Sequence, residues 1–154
     1  LVGEKVFGLV KNLKYITKKF EGFGNEGIEL KINYVVQSCD LAKSLSIDPQ
    51  DDFPEVLATS RMIALMELAA ARLMKPELKS GELSVGVNVN VSHLAATPNE
   101  AQVTAIAKFV RLEGKLYHFE VELHDAGGQV GVGHHTRAIV KTDRLVQGAN
   151  QCLS

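Results

Sequence analysis

Glu67 stands in the middle of SRMIALMELAAARLM, residues 60–74, flanked by Leu65, Met66, Leu68 and Ala69. A carboxylate in such a run loses hydration on folding and is a candidate base or nucleophile. The bland reading is that Glu67 takes the one solvated strip of a helix. His93 weighs against it. It shares parity with Leu83, Val85, Val87, Val89 and Val91, so it extends the apolar face of an alternating strand. Taken alone, a histidine on such a face is more often a satisfied core residue. Here that face should pack on the helix carrying Glu67, which aims two ionisable groups into one interface. Thr59 is the third member. Its ordinary role, shared with Ser60, is to cap the helix N-terminus. Its chemical role would be to hydrogen-bond a substrate or take part in acyl transfer.

Thr59 and Glu67 are eight residues apart. On a continuous helix that is roughly 12 Å of rise at ~1.5 Å per residue. Either they bracket a substrate between them, or the site combines residues from two subunits. A helix beginning near Thr59 offers backbone N–H groups that can polarise a carbonyl and hold a developing oxyanion. A thioester carbonyl is a suitable guest. Glu67 would activate water or attack directly, and His93 would assist proton transfer or orient the carbonyl. The other histidines are His118, His124, His134 and His135. His118 lies on the polar parity of its strand with Glu120 and Glu122, His124 falls at a turn, and His134–His135 is the one adjacent pair. None has metal-ligand spacing, so neither a metal nor a separate cofactor is expected.

The elements that must hold these groups follow from periodicity. Ile28, Leu30, Ile32 and Tyr34 alternate with polar residues as in a half-buried strand. Residues 40–47 read as a short helical or turn segment, and Asp48-Pro49 and Phe53-Pro54 punctuate a loop. Residues 60–74 form the strongest helix, apolar almost all round and therefore expected to be buried on most sides. Pro76 and Gly81 end it. Residues 83–92, 101–112, 115–124 and 129–141 read as four strands with short connections, which implies an antiparallel sheet. One helix amid five strands is most economically covered by a sheet curled around it. That predicts an α+β fold of the hot-dog type, an antiparallel sheet curled around one long buried helix. Another α+β roll is the second choice. The expected boundaries are an N-terminal extension over 1–26, a hot-dog domain over 27–145 and a C-terminal tail over 146–154. Within the extension, Leu9, Leu13, Ile16 and Phe20 have helical spacing, with lysines between them.

A chain of 154 residues with 45% apolar content has material for one core. Its 17 basic and 18 acidic residues leave a net charge of −1, which points to no nucleic acid. No apolar run approaches the ~18 residues of a membrane span, so no membrane is expected. Cys39 and Cys152 lie 113 positions apart and form no metal or disulfide pattern, which fits the cytoplasm. The chain starts at Leu1, so a leader cut away ahead of it stays open.

Three motifs carry a family resemblance. Phe53-Pro54-Glu55-Val56-Leu57-Ala58-Thr59, followed by Leu65-Met66-Glu67, resembles the lead-in and helix of the fluoroacetyl-CoA thioesterase family. Val91-Ser92-His93-Leu94-Ala95-Ala96-Thr97-Pro98 is similar to its second block. His124-Asp125 with Gly131-Val132-Gly133-His134-His135-Thr136-Arg137-Ala138 resembles its closing strands. The resemblance implies hydrolysis of an acyl-CoA thioester by a hot-dog homodimer or dimer of dimers. It places the family's threonine, glutamate and histidine on Thr59, Glu67 and His93, and its lid aromatic on Phe53. Residues 47–52 supply no aromatic, and Leu57 stands where the family has a second one, so the short acyl group is left open. CoA is then part of the substrate. Its phosphates would need cations, with Arg137 a candidate ahead of Arg61 and Lys75. Two competing functions are a non-catalytic acyl-CoA sensor or carrier, which would not need Glu67, and a hydratase. A hydratase of this fold would want an Asp-x-x-x-x-His arrangement that residues 52–57 do not supply.

Overall fold

The computed structural model describes residues 28–153. The expected N-terminal extension and its lysine-flanked apolar stripe lie outside the described residues. Five strands and two helices follow one another: β1 (Glu29–Val35), α1 (Thr59–Met74), β2 (Glu82–His93), β3 (Gln102–Glu113), β4 (Leu116–Asp125), β5 (Gly128–Lys141) and α2 (Thr142–Asn150). All strand pairs are antiparallel, in the order β1-β3-β4-β5-β2, so β1 and β2 are the two edges. The β3–β4 connection is the pair Gly114-Lys115. Gly114 sits at φ 62°, a left-handed backbone that a glycine adopts without a Cβ penalty.

One face of the sheet carries Ile32 of β1, then Val103, Ala105, Ala107 and Phe109 of β3, and Phe119, Val121 and Leu123 of β4. All are buried. Against them lie Met62, Leu65, Met66, Ala69, Ala70, Leu73 and Met74 of α1. Each large side chain buried there contributes about 1.5–3 kcal/mol. The alanines of β3 and Gly131 of β5 let the helix lie close. A Cβ on Gly131 would run into Met62 Sδ.

Two expectations about the architecture are corrected. The antiparallel, hot-dog-like sheet is present, but it is not strongly curled around the helix. It is an open sheet with two edges and α1 on one face. Small residues facing α1 bring helix and sheet together without a wrap. Nor is there one long buried helix. Among the described residues two α-helical runs occur, of 19 and 12 residues when the 3-10 turns that close them are included. α1 buries seven of its residues, and Thr59, Ser60, Leu68 and Arg72 are exposed. α2 buries none. The apolar count around α1 had suggested cover on most sides, whereas the sheet of this chain covers one.

A third difference concerns parity on β2. Gly86 pairs with Arg137 and Val89 with His135, three residues against two, with a bulge at Val87 between them. The extra residue turns the strand over. Val89, Val91 and His93 therefore face α1, while Leu83 and Val85 lie on the opposite face. The single alternating face read from the sequence is two half-faces.

Candidate active site

The segment that delivers Thr59 is pinned from two sides. The backbone N–H groups of Ala42 and Lys43 donate to Val56 and Pro54 carbonyls, and Leu57 N–H donates to Thr97 O. Thr97, fully buried, donates its hydroxyl to Asp125 at 2.9 Å, which fixes the far anchor. Ala58 N–H donates to Asp40 O. One turn into α1, Arg61 Nε meets the buried Asp40 carboxylate at 2.6 Å. The same carboxylate accepts from Tyr34 Oη at 2.8 Å and from Gln37 N–H at 2.8 Å. This ion pair was not read from the sequence, where Asp40 is one acidic residue in a turn segment.

Ala58, not Thr59 or Ser60, is the N-cap, and no side chain caps the helix. The Thr59 hydroxyl is instead 2.8 Å from Nδ1 of His93. The last residue of β2 thus reaches the first residue of α1 because the bulge has turned His93 inward. His93 Nε2 is buried and has no hydrogen-bond partner among the described residues. Met62 N–H makes the first helical bond, to Ala58 O, so the N–H groups of Thr59, Ser60 and Arg61 precede the helical ladder. An open cavity of about 470 Å³ is lined here by Thr59, His93, Pro54, Val56 and Leu94–Ala96. Phe53, next to the lining Pro54, is 43% exposed.

Glu67 lies two turns further along α1 and joins a different cluster. Its Oε1 is 3.4 Å from Arg137 Nη1 and 3.6 Å from His135 Nε2. The carboxylate is half-buried, less desolvated than its neighbours in sequence suggest, while His135 and Arg137 are buried. Arg137 turns inward. Its Nε donates to Ser84 Oγ, its Nη2 to Ser84 O, and its Nη1 faces both His135 and Glu67. Burial lowers the Arg137 pKa, and Glu67 partly restores it. Gly86 makes room, since a Cβ there would collide with Glu67 Oε1. Among the cations weighed for a phosphate, Arg61 is committed to Asp40 and Tyr34, and Lys75 is exposed at the end of α1. The described residues contain no group of three or more His, Cys, Asp or Glu able to hold a metal ion.

The structure therefore joins Thr59 to His93, and Glu67 to Arg137, as two pairs within one protomer. His135 was named in the sequence as half of a histidine pair and as part of the closing-strand motif, with no role of its own. Parity could have singled it out, since Gly131, Gly133, His135 and Arg137 alternate on β5, two spaces followed by two polar side chains on one face.

Beyond this geometry, the chain as a whole has relatives of known kind. Residues 36–143 match the model of the fluoroacetyl-CoA-specific thioesterase family. The chain belongs to this family. The fluoroacetyl-CoA thioesterase of Streptantibioticus cattleyicolor is 41% identical over 94 residues, which span 61% of this chain and 68% of that protein. A solved structure of a fluoroacetyl-CoA thioesterase superposes with a TM-score of 0.79 at 33% identity, covering 84% of this chain and 98% of the other. A hot-dog-like protein from Thermanaerovibrio acidaminovorans, 24% identical, superposes with a TM-score of 0.72 over 84% of this chain and 93% of its own, a likeness of fold alone.

Proposed function

We propose that Thr59, Glu67 and His93 carry out the hydrolysis of a short-chain acyl-CoA thioester that membership of this family assigns to the chain. The observation that carries the reading is the 2.8 Å Thr59–His93 bond at the mouth of an open cavity beside the first turn of α1. The thioester carbonyl oxygen accepts from N–H groups of that turn, where negative charge is favoured. Glu67 takes a proton from water, and the water oxygen attacks the carbonyl carbon. As the carbon–sulfur bond breaks, the CoA sulfur takes a proton through His93. The products are a carboxylic acid and free CoA. Thr59 orients His93 and the carbonyl. Arg137 anchors one oxygen of Glu67 and leaves the other for water, so it serves the carboxylate and not a phosphate. Phe53 covers the acyl end.

The rise between Thr59 and Glu67 is bridged in an assembly of two copies, each lending residues to the other's site. β2 supports this. It is a twelve-residue edge strand with Val87 54% and Val89 38% exposed, a ready template for pairing with its own copy. Among the described residues no helix is long and apolar enough to cross a membrane. The exposed free thiols of Cys39 and Cys152 suit the cytoplasm.

The test is release of free thiol from a panel of short acyl-CoAs, acetyl-CoA and fluoroacetyl-CoA included, with Glu67→Gln and His93→Ala run beside the wild type. Turnover that collapses in both variants supports the assignment and names the acyl group. Acyl-CoA bound without turnover by the wild type would overturn it in favour of a carrier.

A further inference from the structure

We propose that His135 is a positioning residue for Glu67, acting through the guanidinium of Arg137. The inference rests on the hydrolase reading above. His135 is 1% exposed on β5, and the proposed reaction gives it no task. Its Nδ1 lies 2.8 Å from the main-chain oxygen of Asn88. A carbonyl oxygen only accepts, so Nδ1 carries the proton. Its Nε2 lies 3.0 Å from Arg137 Nη1. A guanidinium only donates, so Nε2 carries none. Two neighbours thus fix one neutral tautomer. Burial lowers the His135 pKa most, and the Arg137 charge acts the same way, while the Asn88 carbonyl and Glu67 oppose them.

The consequence falls on Arg137. Its Nε and Nη2 are held by Ser84, and Nη1 is held by the imidazole lone pair. A planar group gripped at three corners has one orientation, and Glu67 Oε1 leans on the third corner at 3.4 Å. His135 Nε2 and Glu67 Oε1, 3.6 Å apart, are two acceptors sharing one donor. The space they share exists because residue 86 is glycine. A Cβ there would strike Glu67 and stand 3.2 Å from His135 Cε1. Asn88 closes the β2 bulge, so the ring also ties the carboxylate's position to the irregularity that turns His93 inward.

The experiment compares His135→Leu with His135→Gln in the full chain, on the acyl-CoA that the wild type hydrolyses best. Leucine fills much of the ring volume without an acceptor. Glutamine can place its amide oxygen near the Nε2 position. We expect kcat to fall about 100-fold in His135→Leu with KM within about threefold, the scale of a ~1 Å misplacement of a catalytic group. His135→Gln should recover about tenfold of that loss, although the thermal midpoints of both variants fall alike. Equal loss of kcat in the two variants would reduce His135 to packing and overturn the proposal, as would full kcat in both. A wild type inactive on every thioester is a different failure. It appears before any variant is compared, and it removes the hydrolase reading together with the positioning role.

Discussion

Glu67 has one oxygen committed to Arg137 and the rest of its carboxylate half-exposed, which suits a base that must meet water. Glu67→Gln keeps the shape and removes the proton acceptor. Its kcat should fall by about 10²–10⁴ with little change in KM, read by free-thiol release under saturating acyl-CoA. Thr59 separates on its hydroxyl. Thr59→Ser keeps the bond to His93 and should stay within about fivefold of wild type, whereas Thr59→Ala should lose about 100-fold. Neither change costs a cap, because Ala58 fills that position, so both variants should unfold at nearly the wild-type temperature. His135 adds a pH signature. Its folded pKa is lowered from an ordinary 6.5, chiefly by burial. Below about 6.5 the unfolded chain therefore binds more protons than the folded one, and stability falls with pH. The stabilisation is complete above 6.5 and is lost as pH drops through the lower folded value. Between about pH 7.5 and 5.5 the wild-type thermal midpoint should fall more steeply than that of His135→Gln, by at most about 1.4 kcal/mol per pH unit for one proton.

At the scale of elements, what positions the site is a helix start clamped to a loop. Arg61 is the clamp, holding a buried carboxylate that also takes Tyr34 and Gln37. Removing Arg61 leaves the Asp40 charge buried without its cation, so Arg61→Ala should lower stability by about 3 kcal/mol, measured by urea unfolding. The strands were legible because alternation survives in Leu30, Ile32 and Tyr34 and in Val103, Ala105 and Ala107, where the ladder is regular. α1 was legible from its helix formers and its length. The β2 bulge was not, because it adds one residue without changing residue types, and Val87 looks like any other valine of the run. The parity that assigned His93 to the inner face is right for Val89 and Val91 and reversed for Leu83 and Val85. α2 escaped for another reason. TDRLVQGAN holds a glycine and only Leu145 and Val146 as large apolar residues, too few for a period to show. The Glu67–Arg137 pair was beyond a one-dimensional reading, since it joins residues 70 positions apart through a register that no local pattern encodes.

At the scale of the molecule, the decisive question is whether one copy holds a complete site. Within a protomer Thr59 and His93 are one pair and Glu67 and Arg137 another. If each site takes Thr59 and His93 from one copy and Glu67 from the other, two inactive variants can repair each other. Thr59→Ala keeps its glutamate and Glu67→Gln keeps its threonine. In their heterodimer one site receives both defects and the other receives none. Refolded at a 1:1 ratio, half the dimers are mixed, and each mixed dimer has one working site of two, so about a quarter of wild-type activity should return. Val87→Lys supplies the matching control, because a lysine on the free edge of β2 opposes strand pairing. It should shift the chain toward monomer in sedimentation and lower kcat with it. Recovery in the mixture together with that shift places the reaction across the β2 edge. No recovery from mixtures shown to contain heterodimer would confine the site to one copy, with the substrate itself spanning from Thr59 to Glu67.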